Sequence, residues 1–140
     1  MRKVKDIMTD QVVTVSPKDN IYEVAVKMKD HDTGFMPVVE DGDRLIGVIT
    51  DRDLVIRGIA EKHPGSTAVE AVMTKGIRAA SPDTPVDDAA DMMADQQIRR
   101  LPVTEGERLI GVVSIGDLAV RNNFADEAGD ALSDISHQVH

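Results

Sequence analysis

A ten-residue stretch that starts at Leu45, LIGVITDRDL, returns near the end of the chain as LIGVVSIGDL, starting at Leu109. Each copy opens with a short apolar run rich in β-branched residues, which predicts a buried strand that ends at a hydroxyl residue. A helix is predicted to follow at once, with an aspartate in its first turn. These residues are Thr50 and Asp53 in the first copy and Ser114 and Asp117 in the second. The chain therefore contains two sequence repeats, and its fold must accommodate that duplication.

The spacing of the hydroxyl and the carboxylate has two interpretations. In the first, both side chains accept hydrogen bonds from backbone N–H groups at the start of the helix, as in a capping box. In the second, the free N–H groups favour a phosphate and the carboxylate accepts hydrogen bonds from the hydroxyls of a ribose. Both interpretations need the same residues, so this motif alone leaves them open.

The segments before this motif also recur. Each copy has a short strand candidate, Val12–Val15 or Ile77–Ala80, that is closed by a Ser-Pro pair. Apolar residues at helical spacing follow each pair and predict an amphipathic helix. We predict that Thr84 caps the second of these helices, with Pro85 at its first position and Asp87 in its first turn. Asp19, Asn20 and Glu23 are predicted to serve in the same way at the start of the first helix.

Two strands joined by a turn complete each copy. The first strand contains Pro37 or Pro102, which cannot donate a ladder hydrogen bond and so predicts a sheet edge or a bulge. The predicted fold is α+β, with two tandem β-α-β-β-α repeats packed sheet to sheet around a pseudo-twofold axis, because neither copy can cover its own sheet. The predicted boundaries are 1–59 for repeat 1, 60–68 for a linker, 69–122 for repeat 2, and 123–140 for a tail with a short helix.

Composition narrows the function. Aromatic residues are only 2% of the chain and the formal net charge is -9, which argues against a surface that stacks or attracts nucleic acid and against binding to anionic membranes. The absence of cysteine and of a long apolar run favours a cytoplasmic protein without disulfides. Apart from His137 and His140, whose spacing could place them on one helix face, the histidines show no metal-ligand spacing, and no metal site is predicted. Six methionines are assigned to the core: Met8, Met28, Met36, Met73, Met92 and Met93.

Catalytic motifs are incomplete. The segment Val112–Gly116 lacks the first glycine of a nucleophile elbow. The segment Gly106–Gly111 has the glycine spacing of a P-loop without the Lys-Ser/Thr that must follow. The chain is therefore not expected to be an enzyme.

The ordered set of recurring segments resembles the cystathionine β-synthase (CBS) domain, and the two copies resemble the CBS pair, or Bateman module. The resemblance spans about residues 4 to 122 and is carried in copy one by DIMT, SP, MPV, LIGVIT and Asp53, each with a partner in copy two. It implies a regulatory module that binds AMP, ADP, ATP or S-adenosylmethionine, with no obligatory cofactor. It also implies that two modules associate as a dimer.

The resemblance further implies two ligand clefts, each combining one motif with segments of the other copy. One cleft is expected to contain Thr50, Asp53, Thr74, Ile98, Arg99 and Arg100. Its twin is expected to contain Ser114, Asp117, Thr9, Val13, Gly34, Phe35 and Met36. Because guanidinium groups bind phosphate, we expect phosphorylated adenosine in the first cleft and a less charged ligand, or none, in the second. Neighbouring side chains of a strand face opposite ways, so one of the two arginines is expected in solvent.

The leading functional hypothesis is an adenine-nucleotide sensor that changes conformation and signals to an unidentified partner protein. The alternative is a dimeric interaction scaffold whose clefts bind nothing. Both hypotheses include a homodimer, which the four amphipathic helices after the Ser-Pro pairs and after Thr50 and Ser114 are expected to form. Neither involves nucleic acid or a membrane.

Overall fold

The computed structural model describes residues 2–120, without the side chains of Ala119 and Val120. The chain forms two compact units. The central unit is Val13–Ile77, and the flanking unit combines Met1–Val12 with the chain from Arg78 onward. The predicted tail over 123–140 lies outside the described residues.

The central unit contains one β-hairpin and two helical segments. Its elements are α1 (Ile21–His31), β1 (Phe35–Glu40), β2 (Arg44–Thr50) and α2, which begins at Asp51–Asp53 and continues as a π-helix over Leu54–Gly58 and a 3-10 turn over Ile59–Glu61. Further 3-10 turns lie at Asp41–Asp43 and Val69–Ala71.

The flanking unit repeats this arrangement. It contains a 3-10 turn at Val4–Asp6, followed by α3 (Val86–Gln96), β3 (Arg100–Glu105), β4 (Arg108–Ser114) and α4 (Ile115–Val120). Helices and antiparallel strands are mixed within each unit, which confirms the predicted α+β class.

Both hairpins contain the predicted irregularity near their proline. The register of β1 against β2 shifts between Val38 and Val39, and the register of β3 against β4 shifts between Val103 and Thr104. The predicted turns between the paired strands are also present, with Gly106 at a φ of 63° between β3 and β4.

The predicted opening strands are wrong as extended strands. Within the described residues, Val15 and Ala80 each form a single parallel bridge, to Val38 and Val103. The pairing cannot extend because the chain turns at the Ser-Pro pair: the Ser16 N–H donates to the Asp19 carboxylate at 2.8 Å, away from the strand. Each copy therefore adds one bridge to its hairpin instead of a third full strand.

One of the two predicted helix caps is confirmed. Of the three residues predicted at the start of α1, Asn20 is the cap, since its Oδ1 accepts from the Glu23 N–H at 2.8 Å, and Glu23 lies in the first turn. Asp19 instead accepts from the Ser16 N–H. The prediction for α3 is wrong, because its N-cap is Pro85 and the Thr84 hydroxyl accepts from the Ser81 N–H at 2.9 Å instead. Thr84 thus closes the preceding Ser-Pro turn.

The opening segment of each repeat supports the other repeat. In the flanking unit, the Val86 N–H at the start of α3 donates to the Arg2 carbonyl at 3.2 Å. In the central unit, the Val69 N–H at the start of the second repeat donates to the carbonyl of Asp19, just before α1, at 2.8 Å. The compact units and the sequence repeats are therefore different divisions of the chain.

Each unit has its own aliphatic and methionine core. The central core contains Val15, Ile21, Val24, Met28, Met36, Val38, Ile49, Val69, Val72 and Met73. The flanking core contains Val4, Ile7, Ala80, Val86, Ala89, Ala90, Met93, Leu101, Val103, Val113, Ile115 and Leu118, with Met8 and Met92 packed against it. The prediction that all six methionines serve the core is confirmed.

Candidate ligand-binding site

The first hydroxyl–carboxylate motif joins β2 to α2. The Asp53 N–H donates to Thr50 Oγ1 at 3.1 Å, and the Thr50 N–H donates to Asp53 Oδ2 at 3.0 Å. These reciprocal bonds form a capping box, so the capping interpretation is confirmed here. The Asp53 residue is only 8% exposed, which is unusual for a carboxylate and requires partners for its oxygens.

Thr74 supplies further hydrogen bonds to this carboxylate. Its hydroxyl donates to Asp53 Oδ1 and Oδ2 at 3.1 and 3.2 Å. Its backbone is fixed against β2, since the Thr74 N–H donates to the Val48 carbonyl at 2.8 Å and the Thr74 carbonyl accepts from the Val48 N–H at 2.9 Å. The start of the second repeat is thereby attached to the motif of the first.

Arg57 adds a positive charge beside Asp53. Its Nε lies 4.0 Å from Asp53 Oδ1, one helical turn along α2. Its Nη1 donates to the Met73 carbonyl at 3.0 Å. Arg57 therefore contacts both sides of the connection between Asp53 and the Thr74 segment.

The second motif joins β4 to α4. The Asp117 N–H donates to Ser114 Oγ at 3.0 Å, and the Ser114 N–H donates to Asp117 Oδ2 at 2.9 Å. Thr9, the counterpart of Thr74, exchanges two 2.9 Å backbone bonds with Val112 in β4. Thr9 is exposed, and no hydrogen bond joins it to Asp117 within the described residues.

The hairpins place the remaining predicted residues beside these motifs. Phe35 lies directly opposite Thr50, and the Gly34 carbonyl accepts from the Asp51 N–H at 2.9 Å. In the flanking unit, Arg100 lies directly opposite Ser114, and the Arg99 carbonyl accepts from the Ile115 N–H at 2.9 Å. This grouping follows from the hairpin register, which the turns fix.

The structure brings together some of the residues that were predicted to share a cleft, and it groups others differently. The structure brings Thr74 to Thr50 and Asp53, and it brings Thr9 to the strand that ends at Ser114. It pairs Phe35 with the first motif and Arg100 with the second, a grouping within each unit that differs from the predicted one. The predicted groups join residues of different units and stay predictions.

Three predicted residues contribute to the cores of their own units. The Met36 side chain is fully buried, and Val13 packs against the same central core. Ile98 packs against the flanking core. Of the predicted arginines, Arg99 is exposed and Arg100 is half-buried.

Two glycines that the sequence analysis did not single out allow the threonine segments to pack. A Cβ at Gly47 would lie 2.6 Å from the Thr74 carbonyl oxygen, and a Cβ at Gly111 would lie 2.9 Å from the Thr9 carbonyl oxygen. A glycine at the same place in two strands of β-branched residues is a signal of such a close approach. Arg57 was also missed, although its position four residues after Asp53 on a helix predicts a contact.

Two further features concern function. No helix within residues 2–120 combines the length and the apolar character needed to cross a bilayer. The same residues contain no group of three or more His, Asp or Glu side chains arranged to hold a metal ion.

Known proteins share this sequence and fold. The chain matches the CBS domain family over residues 4–58 and 69–121. It is 47% identical to the uncharacterized protein YlbB of Bacillus subtilis (strain 168) over 137 residues, which are 97% of this chain and 93% of that protein.

Two similar solved structures contain adenosine compounds. One is the CBS domain pair of protein MJ0100 in complex with 5'-methylthioadenosine and S-adenosyl-L-methionine, at 28% identity and a TM-score of 0.77 over 85% of this chain and 98% of that chain. The other is CBSX2 in complex with AMP, at 25% identity and a TM-score of 0.77 over 91% and 99%. The two matched segments and the shared fold show that this chain belongs to the CBS domain family.

Proposed function

We propose that this chain is a stand-alone regulatory CBS pair that binds an adenosine-containing ligand, of the AMP, ADP and ATP class or S-adenosylmethionine, in clefts between its repeats. The observation that carries the proposal is its likeness to CBS pairs solved with AMP and with S-adenosyl-L-methionine. Such ligands are metabolites of the cell interior, so the proposal includes a cytoplasmic location. It does not include catalysis: the Ser114 hydroxyl accepts from the Asp117 N–H, and among residues 2–120 no base is hydrogen-bonded to it.

The side chains of the motifs suit such a ligand. A carboxylate accepts hydrogen bonds from the two hydroxyls of a ribose, and a guanidinium binds a phosphate through charge-assisted bonds. One or both of the hydroxyl–carboxylate motifs would therefore hold the ribose. A ligand that contacts both repeats favours the conformation in which those contacts form, and this difference in affinity is what changes the surface shown to a partner.

Calorimetric titration and thermal unfolding test the proposal. AMP, ATP and S-adenosylmethionine are compared with GMP and with inorganic phosphate as controls. A ligand at 100 times its Kd stabilises the native state by about 2.7 kcal/mol, so at least one adenosine compound should raise Tm while the controls do not. Absence of binding by every adenosine compound at millimolar concentration would refute the proposal.

An exposed apolar patch favours dimerisation as an additional property. This name is given to the exposed large hydrophobic residues of α1 and α2 in the central unit, with Tyr22 66% and Ile59 71% exposed: Tyr22, Val26, Val55, Ile56 and Ile59. In the flanking unit, the exposed side chains of α3 include Asp87, Asp88, Asp91 and Asp95. Burial of apolar surface drives association, whereas like charges oppose it. We therefore propose a homodimer formed through the patch, instead of equal use of all four helices.

Sedimentation at micromolar concentration tests this dimer. The wild type should sediment at about twice the 15.2 kDa mass of one chain. Ile59→Asp should shift it toward the monomer, since it introduces a charge at the exposed patch. Asp91→Asn on α3 is the control and should leave the mass unchanged. A monomeric wild type, or a dimer that Ile59→Asp leaves intact, would contradict the proposed surface.

A further inference from the structure

Arg57 lies on α2 among residues of the exposed apolar patch. Ile56 precedes it and Ile59 follows two positions later, and both are exposed. The Arg57 side chain instead reaches the start of the second repeat, where its Nη1 donates to the Met73 carbonyl at 3.0 Å and its Nε lies 4.0 Å from Asp53 Oδ1. One stretch of α2 therefore carries both patch residues and a connection to the Thr74 segment.

The turn that carries Arg57 is a π-helix. It spans Leu54–Gly58, and the Ile59 N–H donates to the first carbonyl of the turn, five positions back. Gly58 is buried, and a Cβ there would lie 3.3 Å from Ile21 Cδ1 of α1. Such turns are rare and occur frequently at functional sites. Here the π turn packs on α1 through Gly58 while the next residue back, Arg57, reaches the Thr74 segment.

Three sets of hydrogen bonds join Met73 and Thr74 to β2 and α2 in the described part of the central unit. The first is the backbone pair between Thr74 and Val48 of β2. The second runs from the Thr74 hydroxyl to Asp53, and the third runs from Arg57 to the Met73 carbonyl. Two of the three sets belong to α2, so the order of the Thr74 segment depends on the position of that helix.

The bond to the carbonyl distinguishes Arg57 from an ordinary surface cation. An exposed ion pair contributes little to stability, because water screens it and both side chains lose freedom. A bond from a guanidinium to a backbone carbonyl is charge-assisted and acts on the main chain itself. Arg52, on the same helix, is exposed, and within residues 2–120 none of the hydrogen bonds or ion pairs involves its side chain. Arg52 is therefore a matched control for Arg57.

We infer that Arg57 makes association through the exposed apolar patch and the order of the Thr74 segment depend on each other. The inference rests on the proposed dimer and gives it a regulatory role: association fixes the π turn, and the π turn holds the Met73 carbonyl through Arg57. Two equilibria that are coupled in this way affect each other by the same factor. A change that frees the Thr74 segment therefore weakens the dimer, and dimerisation orders the segment. Arg57 is a positioning residue in this connection.

Amide hydrogen exchange at low and high protein concentration tests the inference. Exchange of the Thr74 N–H, which is bonded to the Val48 carbonyl, reports on the segment, and sedimentation gives the Kd of the dimer. In the wild type, exchange at Thr74 should slow by about fivefold or more when the dimer forms. In Arg57→Gln it should stay fast even at concentrations where that variant is dimeric, and its Kd should rise by about fivefold or more. Arg52→Gln should match the wild type in both measurements.

Two further variants perturb the connection at its ends. Ile59→Asp should exchange at Thr74 as fast as the monomeric wild type at every concentration, since it disrupts the patch. Thr74→Val loses the hydroxyl bond to Asp53 and should raise the Kd of the dimer, although Thr74 is not part of the patch. This variant keeps the test decisive if Arg57→Gln folds poorly.

Three results would overturn the inference and leave the proposed dimer standing. They are exchange at Thr74 that is unchanged when the wild type dimerises, exchange in Arg57→Gln that slows on dimerisation as in the wild type, and an unchanged Kd in Thr74→Val. A wild type that stays monomeric at every concentration would refute the proposed dimer and this inference with it.

Discussion

Gly47→Ala should destabilise the central unit, because the strand β2 and the Thr74 segment approach each other more closely than a methyl group allows. The new Cβ would lie 2.6 Å from the Thr74 carbonyl oxygen, whereas ordinary contact begins at 3.4 Å. The segment would have to retreat by about 0.8 Å. That displacement strains the two backbone bonds between Thr74 and Val48, at 2.8 and 2.9 Å.

The expected loss follows from these two effects. Overpacking a close contact costs about 1–3 kcal/mol, and each weakened backbone bond contributes up to about 1 kcal/mol. We therefore expect Gly47→Ala to lower the free energy of unfolding by about 2–4 kcal/mol. Urea unfolding followed by circular dichroism measures this loss.

Gly116→Ala is the matched control for this prediction. A Cβ at Gly116 meets only Ser114 Oγ, at an ordinary 3.5 Å, and alanine is the better helix former in α4. Gly116→Ala should be neutral or stabilising. If Gly47→Ala unfolds within about 0.5 kcal/mol of the wild type, the close approach of Thr74 does not constrain the fold and the reasoning is refuted.

Two smaller effects are also expected. Asn20→Ala should cost about 1 kcal/mol in urea unfolding, because it removes the cap on the Glu23 N–H, whereas Lys18→Ala, an exposed control, should cost little. The hydrogen bond and charge of Lys5, with the charge of Lys3, hold the pKa of Asp83 below its ordinary value of 3.8. The resulting stabilisation is present above that pH and is lost as the pH falls through the lowered pKa, so Asp83→Asn should lower the urea midpoint slightly at pH 7 and not at strongly acidic pH. An equal effect at both pH values, or one unchanged by high salt, would contradict this explanation.

Much of the fold could be predicted because it depends on local signals. The β-branched runs before Thr50 and Ser114 predicted β2 and β4, and the aspartate in the next turn predicted the capping boxes. The polar group Asp19, Asn20 and Glu23 predicted the start of α1 for the same reason, since a capping side chain acts on an N–H only three residues away. Prolines inside β1 and β3 predicted bulges, because a missing N–H interrupts pairing wherever it occurs.

Two predictions from local sequence were wrong, the cap of α3 and the strand over Val12–Val15. Thr84 does not cap α3, because the backbone of Arg2 supplies the acceptor for the first N–H of that helix. Val12–Val15 has the composition of a strand, but pairing reduces to a bridge at Val15 because the chain turns immediately afterwards. In the first case the acceptor comes from a distant segment that sequence spacing does not identify. In the second case the local turn at the Ser-Pro pair stops the pairing after one bridge.

By itself, the sequence determined the duplication, the α+β class, the turns and the two hydroxyl–carboxylate motifs, because each depends on residues within about four positions of one another or on their recurrence. Only the tertiary structure decided that Thr74 hydrogen-bonds to Asp53, whereas within the described residues no hydrogen bond joins Thr9 to Asp117. It also decided that Arg100 stands beside Ser114 and Phe35 beside Thr50. The physical reason is that the pairing of strands and the docking of an opening segment are long-range contacts, and two nearly identical motifs acquire different surroundings from the few side chains that differ around them.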